Sequence, residues 1–425
     1  MKDCHIIMVK KKIDMLICNS SKLLTLRGSG SPRIGDEMKE LSTIKDGAIA
    51  IDNGIIIEVG ETSVLSKKYK NNVKTVIDAE DKLVMPGFVD CHTHVVFGDS
   101  REYEFEMKIG GASYLDILEK GGGIHSTVNA TKMKSKTDLI EDTIKKLDLM
   151  LMHGTTTVEA KSGYGLDYNN EKKILETIND LKIKHPMNLI ATYLGAHVFP
   201  KNIDNEDYVN LILNEALPDF TDLAEYCDIF VEKGAFSLDN ANSILNAAKK
   251  LGYKIKMHAG QFNDLEGVLE FASKIKAVSV DHLDVDTSDK KLNALKKSGT
   301  AIVLLPGVSF FLMTGKYADA RRMIDNGNIV ALATDFNPGS CPTYSMQCII
   351  ALACYNMKML PSEAIIASTI NAAHAINRGD QIGSIEVGKV ADIIIMNIQE
   401  PSQIPYYFGV NLIKKVIKSG KIVIE

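Results

Sequence analysis

Short apolar runs recur along this chain, each followed by a longer segment in which apolar residues return every three or four positions. The runs occupy residues 84–90, 154–159, 188–193, 228–232, 254–258, 277–282, 301–306 and 329–335. Each is the length of a buried strand, and the stretches between them, such as 136–152, 240–251 and 264–274, carry the period of a helix with one apolar face. Eight strand–helix units in succession predict a (β/α)8 TIM-type barrel over residues 85–385, an α/β fold whose chemistry sits at the C-terminal ends of the strands.

The flanks follow a different rhythm. Residues 13–18, 48–51 and 55–59 read as strands, the last two joined by Asn53-Gly54, a step that accepts the positive φ angles of a two-residue hairpin turn. Residues 382–396 and 415–424 have the same character, the latter folding back at Ser419-Gly420. Residues 1–84 and 386–425 are therefore expected to form one small β-sandwich domain built from both termini, with the barrel inserted between its halves. Residues 27–40, with Gly, Ser, Pro and charges, read as a loop.

Composition narrows the class. The 425 residues are 45% hydrophobic, enough for a large core, and the formal charge of -5 gives no reason to expect nucleic acid or an anionic membrane as partner. The Lys10–Lys12 cluster precedes an apolar run too short for a signal or spanning segment. Seven scattered cysteines without a C-x-x-C pair read as reduced thiols. A cytoplasmic protein is expected.

The candidate chemistry lies at the strand ends. In an extended strand His92 and His94 share a face, with Cys91 and Thr93 on the other. His197, His258, His282 and Asp335 end the third, fifth, sixth and eighth predicted strands, and Glu159 and Glu232 end the second and fourth. A barrel brings all of these around one pocket. His92, His94, His258 and Asp335 supply three imidazoles and a carboxylate for one divalent metal, with zinc the first choice and iron(II) or manganese also suited to the donors. His282 and Asp335 border the metal-activated water and are the proton-transfer candidates, and Glu159 and Glu232 are further candidates whose contact with that water the sequence leaves open. His5 and His185 are expected to be exposed, His153 to point to the opposite barrel end and His374 to sit in a helix; His125 follows Gly121-Gly122-Gly123, read as a mobile loop near the pocket.

These residues stand in a known pattern. Pro86-Gly87-Phe88-Val89-Asp90-Cys91-His92-Thr93-His94, the strand-end His258 and His282, Thr334-Asp335 and the closing Gly383-Ser384-Ile385 and Gly388-Lys389-Val390-Ala391-Asp392 occur in the order found in the amidohydrolase superfamily, which the chain resembles from end to end. Within it, the segments 97–101, 158–166, 194–197, 232–234, 281–283 and 333–340 are similar to those of members that open a cyclic amide bearing a propanoate arm. The resemblance implies hydrolysis of the ring C–N bond of 4-imidazolone-5-propanoate to N-formimidoyl-L-glutamate, in histidine degradation. It implies substrate contacts from Arg101, Tyr164, His197, Asn337, Gly339 and Ser340. Arg101 offers a planar fork for the carboxylate, and Tyr114 and Tyr164 are placed to cover or hydrogen-bond a flat ring.

Two departures sharpen this expectation. Members with two metals generally carry a carbamylated lysine at the fourth strand end, where Glu232 stands here with Lys233 on the other face, so one metal is expected. Members that deaminate purine or pyrimidine rings carry His-x-x-Glu after the fifth strand, where this chain has His258-Ala259-Gly260-Gln261. Glutamine donates no acid proton, so Gln261 is expected to orient substrate and deamination is disfavoured. Such proteins commonly pair as homodimers, although no stretch of this sequence marks a dimer surface.

Overall fold

The computed structural model describes residues 12–112 and 114–425, without the side chains of Tyr114, Leu115 and Leu118. His5 and most of the Lys10–Lys12 cluster lie outside the described residues. In chain order the strands are β1 (Ile13–Leu24), β2 (Thr43–Lys45), β3 (Gly47–Asp52), β4 (Ile55–Glu61), β5 (Val73–Pro86), β6 (Phe88–Thr93), β7 (Thr155–Lys161), β8 (Asn188–Ala196), β9 (Tyr226–Val231), β10 (Lys254–Ala259), β11 (Ser279–His282), β12 (Ala301–Leu304), β13 (Val330–Leu332), β14 (Ile393–Met396), β15 (Ile413–Lys418) and β16 (Lys421–Ile424).

Strands β6 to β13 pair in sequence order and in parallel. Crossover helices lie between them, including Lys136–Met152, Tyr168–Lys184 and Leu238–Lys250, the last opened by a capping box at Ser237. The sheet nearly closes. Between β13 and β6 the seam is a single bridge, Thr93 to Phe336, flanked by Asp335 N donating to His92 O (3.0 Å) and His94 N to Phe336 O (3.0 Å). Asp90 reinforces it by accepting from the Thr334 amide (3.1 Å) and hydroxyl (2.6 Å).

The strands from the two ends of the chain form one mixed eight-stranded sheet, in the order β16-β15-β14-β5-β1-β3-β4 with β2 beside β1. Both expected hairpins are present, with Asn53 and Gly54 at φ 50° and 76° and Ser419 and Gly420 at 48° and 72°. Alternation along β1 divides its side chains between two apolar clusters: Met15 and Ile17 pack with Ile393 and Ile417, and Leu16 and Cys18 pack beneath the helix Thr62–Tyr69. The loop expected over 27–40 contains a 3-10 turn, Gly35–Lys39.

One boundary differs from expectation. The apolar run at 84–90 is two strands: β5 ends at Pro86 in the terminal sheet, and β6 starts at Phe88 in the barrel. The switch falls at Gly87, where a Cβ would lie 2.4 Å from Thr156 Cγ2, so glycine leaves the room that the Thr156 side chain occupies.

Candidate metal centre

His92 lies in β6, His94 just beyond it, His258 in β10, His282 at the end of β11 and Asp335 just after β13. All five are buried and their ring or carboxyl atoms converge. His92 joins His94 and Asp335 in one group of mutually close ligand atoms and His258 and His282 in another. Asp335 Oδ1 is 3.4 Å from both His92 Nε2 and His94 Nε2. A tetrahedral ion with bonds of about 2.0–2.1 Å has ligand–ligand edges of about 3.4 Å. The spacing therefore suits a metal and is too long for hydrogen bonds.

The hydrogen-bond inventory says the same. His92 Nε2, both ring nitrogens of His258, His282 Nδ1 and Asp335 Oδ1 are buried without a hydrogen-bond partner. Orphaned buried polar atoms are rare in folded chains, and these five, on four adjoining side chains, mark a place where a ligand belongs. Burial holds His92, His94 and His258 well below the usual imidazole range, so they are neutral, as metal coordination requires. Burial likewise pushes Asp335 up to about 7, against the pull of His282. For His282, burial lowers the pKa, but Asp284, Asp335 and Asp281 outweigh it and the net shift is upward. His282 and Asp335 also hold the left-handed region, at φ 85° and 52°, a strain tolerated where the surroundings fix the backbone.

Beneath these atoms lies a layer of paired charges that the sequence reading missed. Asp281 Oδ2 is 2.6 Å from His92 Nδ1; a carboxylate only accepts, so Nδ1 carries the proton and Nε2 turns its lone pair to the pocket. Asp228 Oδ2 is 3.1 Å from His258 Nδ1, without the alignment of a hydrogen bond. Lys161 Nζ reaches Asp228 (2.7 Å), Glu159 (3.0 Å) and Asp281 (3.5 Å), and Lys256 Nζ reaches the other oxygen of Glu159 (2.7 Å). Charged residues at alternate positions of apolar strands, as in Glu159/Lys161 and Lys256/His258, were the available clue.

This layer corrects two expectations. Glu159 does not adjoin the ligand atoms: both its oxygens are taken by Lys161, Lys256 and the Thr192 hydroxyl. Glu232 is engaged as well, accepting from the amides of Lys233 (2.7 Å), Phe262 (3.0 Å) and Asn263 (3.2 Å) and from Asn263 Nδ2 (2.8 Å). It fastens the segment that follows Gln261.

Above the metal group is a cavity of about 450 Å³. Its wall includes His94, His258, His282 and Asp335, and also Arg101, Tyr164, His197, Gln261, Asn337, Gly339 and Ser340. The side chain of Tyr114, at the head of the helix Tyr114–Glu119, is outside the described residues. His197 stacks on His94 (centroids 5.1 Å apart) and its Nδ1 is 3.1 Å from Gly163 O; Tyr164 packs against both rings. Asn337 spends its amide on its own turn, donating to Asp335 O and Ser340 Oγ and accepting from the amides of Gly339 and Ser340. Arg101 is held by Glu104 through two N–H bonds, Nε at 2.8 Å and Nη2 at 2.5 Å. Gly339 gives way to it: a Cβ there would sit 2.0 Å from Arg101 Nη1. The glycine loop is pinned to the same carboxylate, Gly123 N donating to Glu104 Oε1 (2.9 Å).

The remaining histidines stand apart. His185, expected to be exposed, is buried (6% exposed) with Nε2 3.2 Å from Asp148. His153 caps its own helix through Leu149 O, and His374 ends the helix Ile370–His374. Cys91 faces away from the site, its thiol directed at Leu332 O.

The sequence pattern of the amidohydrolase family matches residues 83–423. The chain belongs to the amidohydrolase family. Among amidohydrolases, curated relatives named imidazolonepropionase are 46% identical over 417 residues in Alkaliphilus oremlandii and 46% identical over 418 residues in Geobacillus thermodenitrificans. Each comparison covers 97% of this chain and 98% of the relative. Among solved structures, an adenosine deaminase from Xanthomonas campestris with bound zinc superposes with a TM-score of 0.73 at 18% identity, over 97% of this chain and 93% of that one. The E. coli guanine deaminase does so with 0.67 at 16%, over 97% and 99%. At these identities the likeness is one of fold. No helix among the described residues is long and apolar enough to cross a membrane.

Proposed function

We propose that this amidohydrolase opens the ring of 4-imidazolone-5-propanoate by adding water across the cyclic amide C–N bond, giving N-formimidoyl-L-glutamate in histidine degradation. The observation that carries the reading is near-complete coverage at about 45% identity by relatives named imidazolonepropionase. The cavity supports it, with nitrogen and oxygen donors at its base and cations on its wall.

His92, His94, His258 and Asp335 are the metal ligands in this reading, and a donor set of three imidazoles with one carboxylate favours zinc over iron(II). A divalent ion held by these residues would supply a water acidified toward neutral pH and a Lewis acid for the amide carbonyl. Asp335 accepts the proton of the attacking water on its carboxylate and passes it to the departing ring nitrogen. His282, poised by Asp284 and Asp335, hydrogen-bonds the carbonyl oxygen as its charge grows. Tyr164 and His197 wall the ring, Gln261 orients it, and Gly339 and Ser340 border it. Asn337 acts through the turn it ties. Arg101 lies on the side that receives the propanoate. The six cysteines among the described residues are free thiols, which fits a reducing cytoplasm.

The test is turnover of imidazolonepropionate by the purified protein, with metal determined by elemental analysis and both formimidoylglutamate and ammonia assayed. One divalent ion per chain with formimidoylglutamate as product is the expected result. Ammonia without formimidoylglutamate, or no turnover by metal-loaded protein, would overturn the reading.

A further inference from the structure

The turn that follows β7, residues 162–166, is wound around one buried carboxylate. Glu171 stands in the first turn of the helix Tyr168–Lys184 and is 1% exposed. Its Oε2 accepts from the amide of Gly163 (3.0 Å), and its Oε1 from the amides of Gly165 (2.7 Å) and Leu166 (2.9 Å). Burial raises its pKa, opposed by the Ser162 hydroxyl and by the amides of Leu166, Gly165 and Gly163, so the groups that favour its charge all belong to the turn. The backbone bends to bring them there: Gly163 and Leu166 hold φ of 109° and 51°, and a Cβ on Gly165 would lie 2.3 Å from Glu171 N.

Two side chains of the cavity wall depend on this turn. Tyr164 lies between the amides that Glu171 holds, and its ring centroid is 5.6 Å from those of both His94 and His197. Gly163 O faces His197 Nδ1 at 3.1 Å; a carbonyl only accepts, so Nδ1 carries a proton and the ring's orientation is fixed. Glu171 is not itself part of the wall.

We propose that Glu171 is a positioning residue for the ring end of the substrate, holding Tyr164 through the amides on either side of it and His197 through Gly163 O. The assignment rests on the substrate reading above and deepens it. A carboxylate bound by three amides of one turn leaves that turn a single conformation, so both rings are in place before substrate arrives and their ordering does not weaken binding. Glutamine cannot do the same, because it has one acceptor oxygen and would turn an N–H toward a backbone N–H.

The experiment measures binding of an unreactive probe, imidazole-4-propanoate, by calorimetry on metal-loaded protein, beside the kinetics of imidazolonepropionate. Glu171→Gln is expected to weaken the probe and to raise KM by about tenfold each, with kcat within about threefold and metal content unchanged. In a Tyr164→Ala, His197→Ala background the same substitution should change probe affinity by less than about twofold, because the side chains through which it acts are gone. A carboxylate that merely supports the barrel would cost the same in both backgrounds. Ser162→Ala, a milder cut beside the same carboxylate, is expected to weaken the probe about threefold and carries the test should the glutamine variant not fold. Unchanged probe affinity and KM in folded Glu171→Gln, or an equal loss in both backgrounds, would overturn the proposal. Wild type that binds the probe yet fails to open imidazolonepropionate would sink the functional reading alone, since the probe cycle needs no turnover and still decides the role of Glu171.

Discussion

Within the barrel, Lys161 and Lys256 share Glu159, Asp228 and Asp281 so that every charge in that layer has a partner; at the strand ends just above, His92, His258, His282 and Asp335 present buried atoms with none. Both layers are buried and both consist of titratable groups. The difference is satisfaction. Satisfied charges inside an apolar barrel hold its strands in place, whereas several unsatisfied ones gathered on adjoining side chains mark a place where something is to be bound. The contrast separates structural from functional roles without reference to any relative.

Breaking the upper layer should have the largest effect. Chelating the metal, or changing His258→Ala, is expected to reduce turnover by about a thousandfold or more while the circular dichroism spectrum stays folded, because neither ring nitrogen of His258 makes a hydrogen bond within the fold. Breaking the lower layer should do the reverse. Lys161→Met leaves buried carboxylates unpaired and is expected to lower unfolding free energy by about 3–5 kcal/mol in denaturant titrations, with or without metal. A loss of activity with unchanged stability would contradict this assignment.

Asp281 belongs to both layers and sharpens the comparison. Asp281→Asn keeps an acceptor for His92 Nδ1 but removes its charge, and metal affinity measured by chelator competition is expected to fall about 10–100-fold. The smallest effect concerns His374, whose buried Nε2 also lacks a partner although it is remote from the pocket. Burial, then Lys389 and Arg33, hold its pKa down to about 4 from 6.5. The unfolded chain therefore binds the proton more tightly, and stability present above pH 6.5 is lost as pH falls toward 4. His374→Gln should flatten that part of the stability–pH curve and leave kcat unchanged; a change in kcat would show that a missing partner marks function here too.

How much of this the sequence disclosed follows from what each residue's neighbours are. Buried parallel strands read as apolar runs, so all eight barrel strands were visible, as were the hairpins at Asn53-Gly54 and Ser419-Gly420, whose turns are set by two adjacent residues. The converging His92, His94, His258, His282 and Asp335 were legible because strand ends point to one place. Partnerships across the barrel were not. Nothing near Glu159 or Glu232 in the chain announces that Lys256 or the amides of Phe262 and Asn263 occupy their oxygens. Nor does Arg101 alone reveal that Glu104, one turn along its own helix, already holds its fork. The break at Gly87 was hidden because an apolar run reads the same in either sheet.

That break bears on how the molecule is made. Pro86 pairs with Ile393 and Leu83 with Met396, so β5, which leads into the first two metal-binding histidines and already pairs with β1, gains its second sheet neighbour only when β14 has been synthesised. The nascent chain exposes the histidines early, on a strand anchored at one edge alone. A truncation that deletes β14 to β16 would thus leave β5, the strand that feeds the barrel's first stave, with one open edge.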